Sequence, residues 1–277
     1  MAVALECRNL FFSHGKTPIL KGISLSMKSG TFTAILGRNG SGKTTLLHCL
    51  NGIRKTASGT VHIKGINLRT LSRKQVARHI SLVVQENPEV FPFTVLDVVV
   101  MGRAPFLGAT QVPGPEDYEL AMKALKTLDV AHLAPANFNR ISGGERQMAL
   151  LACALVQTSD IMLLDEPTNH LDFKNQYLLL NRIRQLCLQK NTAVVAAMHD
   201  PNMAMLFADE VILLKSGMVF GAGPVKAVMN KTNMDLLYET ETTALPFDQN
   251  GQFFIPTDVL YGRKQKTLDT QTYIEHP

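Results

Sequence analysis

Residues Gly37 to Thr44 read Gly-Arg-Asn-Gly-Ser-Gly-Lys-Thr and satisfy every fixed position of the phosphate-binding pattern G-x-x-x-x-G-K-[ST]. Glycines let the backbone fold around an anion with its N–H groups turned inward, and a helix starting there adds the positive end of its dipole. Gly37, Arg38, Asn39, Gly40, Ser41 and Gly42 are therefore expected to line the phosphates of a nucleotide, and Lys43 to reach the terminal ones. The Thr44 hydroxyl is placed to ligate Mg²⁺, with Thr45 beside it on phosphate. The apolar run Phe32 to Leu36 before the pattern reads as a strand, and Thr45 to Leu50 after it as a helix closed by Asn51-Gly52. Strand, loop and helix are the context in which the pattern binds phosphate.

Further polar residues sit where other apolar runs stop. Asp165 and Glu166 follow Ile161-Met162-Leu163-Leu164. An acid at such a strand end holds Mg²⁺ through water, which makes Asp165 the metal candidate. Glu166, one residue past the strand, is placed to polarise an attacking water. His199 follows the strand-like Ala193 to Ala197 and is expected at the same sheet edge, to touch the leaving phosphoryl group or orient the water. Gln85 ends the run Ser81 to Val84, and its amide is a further candidate for Mg²⁺ or water. Ser142-Gly143-Gly144-Glu145 opens a helix as a capping box. Glycines in a first turn cost roughly 1 kcal/mol each relative to alanine. Close approach of that backbone to a second anion would offset the cost.

The elements needed to hold these residues are legible. Val3–Leu10, Ile19–Met27, Phe32–Leu36 and Gly59–Gly65 read as strands separated by Gly- or Lys-rich turns. Beyond Gln85 the character changes. Pro88, Pro92 and the Gly102–Pro115 stretch interrupt the chain, and helices are expected from Thr94 (capped with Asp97), over Glu116–Leu128 and over Ser142–Leu155. Residues from about 86 to 160 thus read as a helical insertion. A helix over Phe173–Gln189, a helix capped by Asp200 with Pro201 at its first position, and a hairpin over Val211–Phe220 complete the pattern. Continuous apolar strands alternating with helices predict an α/β fold with a mainly parallel sheet covered on both faces, preceded by an antiparallel β subdomain. Residues 231–277 carry weaker signals and are read as a C-terminal extension.

A chain of 277 residues that is 45% apolar and 18% charged is long and apolar enough for a full core and is not of the disordered class. The net charge of +5 suits anionic ligands or an anionic membrane surface, yet no run of five or six like charges resembles a nucleic-acid tail, so nucleic acid is not expected as a partner. Cys7, Cys49, Cys153 and Cys187 form no C-x-x-C pair and read as small buried apolar residues of a reducing compartment. No secretory signal and no membrane-length apolar stretch is read, so any membrane attachment is expected to run through a partner.

The order and spacing of the Gly37–Thr44 loop, Gln85, Ile141-Ser142-Gly143-Gly144-Glu145-Arg146-Gln147, the Ile161–Glu166 block, Asn169-His170-Leu171-Asp172 and His199 resemble an ABC transporter ATP-binding subunit over about residues 1–230. The resemblance implies a RecA-like phosphate-loop NTPase that binds ATP and Mg²⁺ and hydrolyses ATP. It implies a head-to-tail dimer, with each ATP between one copy's phosphate loop and the other copy's Ser142, Gly143, Gly144 and Glu145, and Asp172 at the interface. His14 falls where a tyrosine commonly stacks on adenine; an imidazole stacks with less area. The segments Thr94–Arg103 and Glu166–Asp172 look like the importer branch for iron chelates, haem, vitamin B12 and molybdate. That branch implies transmembrane permease subunits, a periplasmic or lipid-anchored substrate-binding protein, and a peripheral place on the cytoplasmic face of a bacterial or archaeal cell membrane. An exporter subunit, or a soluble ATPase of the same family acting on nucleic acid or ribosomes, is the alternative. The insertion argues against the first, and the single cassette without a heptad run against the second.

Overall fold

The computed structural model describes residues 2–84, 92–108, 110–157, 159–169, 171–247 and 251–260. Gln85 and His170 lie outside the described residues.

In chain order the elements are β1 (Val3–His14), β2 (Thr17–Lys28), β3 (Phe32–Leu36), α1 (Lys43–Leu50), β4 (Ser58–Ile63), β5 (Ile66–Asn67), α2 (Arg73–His79), β6 (Ile80–Val83), α3 (Val95–Val100), α4 (Pro115–Thr127), α5 (Gly143–Val156), β7 (Ile161–Asp165), α6 (Phe173–Lys190), β8 (Ala193–Met198), α7 (Pro201–Phe207), β9 (Glu210–Lys215), β10 (Met218–Pro224), α8 (Val225–Val228), α9 (Lys231–Tyr238), β11 (Thr242–Pro246) and β12 (Gln252–Pro256). One sheet, ordered β2-β1-β4-β5, is antiparallel. The central sheet is ordered β10-β9-β3-β8-β7-β6, parallel except for β10 at its edge.

Successive side chains of a strand face opposite sides, and the central strands use this to divide the interior. Phe32, Ala34 and Leu36 of β3, Met162 and Leu164 of β7, and Val194, Ala196 and Met198 of β8 enter one core with the helices α3 to α7. Ile35, Ile161, Leu163, Ala193, Val195 and Ala197 enter the other core, with α1 and the antiparallel sheet. Strands apolar on both faces are what a parallel sheet covered on both sides requires, and the expected α/β architecture is the one found.

Helices α3, α4 and α5 pack on one another and form the helical layer expected beyond residue 85. Thr94 and Asp97 make the capping box read from the sequence, with the Asp97 carboxylate accepting from the Thr94 N–H at 3.0 Å. Helix α2 was not expected. It has its own capping box, Ser72 with Gln75, but Val76 is its one buried residue, so it shows no apolar stripe. Residues past 230 form α9 and the β11–β12 hairpin, and Met234, Leu237 and Phe254 join the first core.

Candidate functional site

The parallel strands end together. Leu36 lies beside Met198, and Asp165 beside Ala197. The residues that follow, Gly37, Glu166 and His199, therefore emerge at one carboxyl edge of the sheet, where open α/β sheets bind ligands.

From Leu36 the chain turns tightly. A Cβ on Gly37 would lie 2.4 Å from the Leu214 carbonyl oxygen and 2.5 Å from Ser41 Oγ, so only glycine fits. Gly40 and Gly42 take φ of 79° and 106°, conformations that favour glycine. Gly42 precedes α1 without a side-chain cap, and acidic residues are absent from the helix's first turn. The amino end of α1 thus keeps N–H groups and positive potential for an anion. The Ser41 hydroxyl is buried without a hydrogen-bond partner among the described residues. Such an orphan costs about 1–3 kcal/mol, which a phosphate oxygen would relieve. A nucleotide's phosphates fit this cradle.

Lys43 is 5% exposed. Its ammonium donates to the carbonyl oxygens of Gly37 at 2.8 Å and Arg38 at 3.4 Å. Burial holds its pKa below the usual lysine range, with Glu166 and Asp165 opposing. Thr44 Oγ1 donates to Asp165 Oδ1 at 3.1 Å. Asp165 is 2% exposed. Burial pushes its carboxyl above the usual range, the Thr44 bond opposes this, and the neighbouring Glu166 charge adds to it. A hydroxyl and a carboxylate a hydrogen bond apart form the hard-oxygen pair that suits Mg²⁺, which keeps water and phosphate in its other positions.

Glu166 sits in the turn after β7 with φ of 50°, sparsely populated for a side-chain-bearing residue. Its N–H donates to the Ala197 carbonyl at 3.1 Å, which holds the turn. Oε1 lies 2.5 Å from His199 Nε2 and 3.8 Å from Lys43 Nζ, while Oε2 accepts from Asn169 Nδ2 at 2.5 Å. Lys43, Glu166 and His199, 156 residues apart in sequence at the extremes, thus meet around one carboxylate. Asn169 had no role assigned from sequence. Its i+3 spacing from Glu166 is the turn spacing that could have exposed it.

The other expected residues lie on separate elements. Ser142 caps α5 through a complete box: Glu145 Oε2 accepts from Ser142 N at 2.9 Å and from Ser142 Oγ at 2.7 Å, and Glu145 N donates to Ser142 Oγ at 3.3 Å. A Cβ on Gly144 would stand 3.2 Å from Asn175 Nδ2, so part of the glycine requirement is internal packing. Asp172 caps α6, accepting from Asn175 N at 2.8 Å and from Asn175 Nδ2 at 3.1 Å. The amino ends of α5 and α6 are therefore adjacent, and Ser142, Gly143 and Asp172 are exposed. Among the described residues no hydrogen bond or ion pair joins this pair of helix ends to the Lys43–Glu166–His199 cluster. Arg38 pairs with Glu239, and Asn39 and Gly40 are exposed. Thr45 is half-buried on α1. His14 is exposed at the end of β1; the next strand of that hairpin brings Leu20 within 3.0 Å of where a Gly42 Cβ would lie.

The ABC transporter family model matches residues 20–169. A protein of Helicobacter pylori (strain ATCC 700392 / 26695) described as an iron chelatin transport ATP-binding protein is 37% identical over 248 residues, 89% of this chain and 97% of its own. A solved structure described as a metal-chelate type ABC transporter in an inward-facing conformation matches with a TM-score of 0.81 at 30% identity, covering 92% of this chain and 98% of the other. The ATP-binding cassette MJ0796, solved as a dimer in a post-hydrolysis state with ADP and phosphate, matches with a TM-score of 0.69 at 28% identity, covering 80% and 98%. With the phosphate cradle and the acidic strand end in place, these matches identify the chain as a member of the ABC transporter family, one of its ATP-binding, ATP-hydrolysing cassettes.

Proposed function

We propose that this chain is the motor subunit of a membrane importer for a metal chelate, an iron–siderophore, haem or cobalamin being the class of cargo. The observation that carries the catalytic part is the meeting of Lys43, Glu166 and His199 at the carboxyl edge of the sheet. The importer part rests on the likeness to an iron chelatin ATP-binding protein and to a metal-chelate transporter. Residues 1–230 are read as the cassette, with the helical insertion of about residues 86–160 facing transmembrane permease subunits. A substrate-binding protein outside the membrane would deliver the chelate. Among the described residues no helix is long and apolar enough to cross a membrane, which is compatible with a peripheral seat on the cytoplasmic face.

In this reading the amides of Gly37–Thr44, with Arg38, Asn39, Ser41 and Thr45, cradle the phosphates of ATP, Lys43 neutralises the terminal ones, and His14 lies against adenine. Mg²⁺, held by Thr44 and through water by Asp165, with Gln85 as a further contact, would supply charge neutralisation on the phosphates. Glu166 accepts the proton of a water whose oxygen attacks the terminal phosphorus as the bond to ADP breaks. Its oxygens are fixed by Asn169 and His199, so the base is pre-aimed. His199 orients the water or contacts the departing phosphoryl group. Ser142, Gly143, Gly144, Glu145 and Asp172 of a second copy close the site, as the dimeric state of a related cassette supports.

The test is Glu166→Gln in purified protein. ATP binding should persist with Mg²⁺ present, steady turnover should fall by at least about 10³-fold, and the nucleotide-loaded protein should become dimeric. Steady hydrolysis by E166Q would overturn the assignment of the base. Reconstitution with the permease then identifies cargo, as the chelate that stimulates ATP turnover.

A further inference from the structure

Two of the strand ends that carry the site are held by residues past 230. Helix α9 ends at Tyr238, whose phenolic O–H donates to the backbone carbonyl of His199 at 3.0 Å. Burial, with the Asp200 charge adding, pushes the Tyr238 phenol well above its usual range. The hydroxyl is therefore a committed donor at every physiological pH. The next residue, Glu239, closes α9 in the left-handed region with φ of 55°. Its carboxylate pairs with Lys215 at 3.0 Å and with Arg38 of the phosphate loop. A second anchor lies on α7, the helix that begins directly after His199 and Asp200. Asn202 donates its amide to the Phe254 carbonyl at 3.2 Å and accepts from the Phe254 N–H at 2.8 Å. This reciprocal pair fixes β12 against the first turn of α7, and Phe254 is buried.

We propose that Tyr238, Glu239 and β12 form a positioning clamp for the hydrolytic centre, in which Tyr238 sets the place of His199 through its main-chain carbonyl. The proposal rests on the reading of His199 as part of that centre. The contacts are unequal. The Arg38–Glu239 pair is about half exposed on both sides, so screening leaves it little weight. The Tyr238 bond is partly buried, so losing the donor leaves a carbonyl that water only partly compensates. The consequence passes along a short path: His199 Nε2 stands 2.5 Å from Glu166 Oε1, so a small displacement of the His199 backbone alters the contact that aims the base. Tyr238 is a positioning residue, with no contact to substrate of its own.

The experiment compares Tyr238→Phe, His199→Ala, the double variant and Lys231→Ala in the full chain, following ATP hydrolysis, ATP-binding stoichiometry and thermal midpoint. Lys231 serves as control because it pairs with Asp235 and Glu241 inside the extension. Y238F keeps the ring and removes one hydrogen bond. Its kcat should fall about tenfold with KM and binding stoichiometry close to those of the parent and a midpoint lower by no more than a few degrees, while K231A hydrolyses at the parent rate. In the double variant the two losses should fail to multiply, because Tyr238 acts through His199. A parental kcat for Y238F, or losses that multiply in the double variant, would overturn the clamp. Full activity of H199A would instead overturn the reading of His199 on which it stands.

Discussion

At Asp165 the requirements of stability and of the proposed Mg²⁺ site oppose each other. The carboxyl is 2% exposed and carries one hydrogen bond, from Thr44. Its folded pKa is raised above the ordinary 3.8 by burial. A group with a raised folded pKa contributes stability below its unfolded pKa and loses it as the pH rises through the folded value. From just above pH 3.8 upward the ionised carboxylate is therefore a cost to the folded chain. Asp165→Asn is expected to raise the stability and the melting temperature at pH 7 and, with Asp165 as the proposed Mg²⁺ ligand, to lose Mg²⁺-dependent turnover. The gain should shrink as the pH approaches 4, which denaturant titrations of parent and variant at both pH values would show. Equal stability at pH 7 would mean that Lys43, which loses a neighbouring carboxylate in the variant, offsets the gain. The acidic pair itself was legible in the sequence because an apolar run ends on it. The Asn169 bond to Glu166 and the Tyr238 bond to His199 were not assigned, the second because its partners are 39 residues apart and share no periodic signal.

The same division holds for the elements. Strands β3, β7 and β8 announce themselves as continuous apolar runs, and α3, α5 and α7 by their caps, so the elements holding the site were foreseen. Helix α2 and the β11–β12 hairpin were not: α2 has one buried residue, and the hairpin is stabilised by docking onto α7 rather than by its own pattern. Asp172 shows why an element-level role must be separated from a functional one. It caps α6 within one chain and is also the residue expected at the contact with a second copy. Asparagine caps as well as aspartate, whereas alanine loses about 1 kcal/mol. Asp172→Ala should therefore lower the melting temperature of the nucleotide-free protein by a few degrees, and Asp172→Asn should leave it unchanged. Weaker ATP-driven pairing of D172N, measured by sedimentation, would assign the charge to the interface. Pairing at the parent strength would confine Asp172 to its cap.

Across the whole molecule the residues of the proposed site fall into two separate groups. The phosphate cradle and the Lys43–Glu166–His199 cluster occupy one sheet edge, while the exposed Ser142–Gly143 turn and Asp172 sit at helix ends that make no bond to them among the described residues. In the proposed head-to-tail pair each cradle would face the other copy's helix ends, and twofold symmetry would generate two equivalent sites. Complementation tests this directly. Lys43→Ala cripples the cradle, and Ser142→Arg blocks the helix end at the expense of the α5 cap. Each variant alone gives dimers with no intact site. In an equal mixture, half of the dimers are hybrids, and each hybrid joins one good cradle to one good helix end. The mixture should regain up to about a quarter of the parental rate, and with E166Q added to both chains it should still pair when ATP is present. If each chain held a complete site, both variants would stay dead when mixed. No regained rate and no ATP-driven hybrid on sedimentation would therefore rule out the shared site.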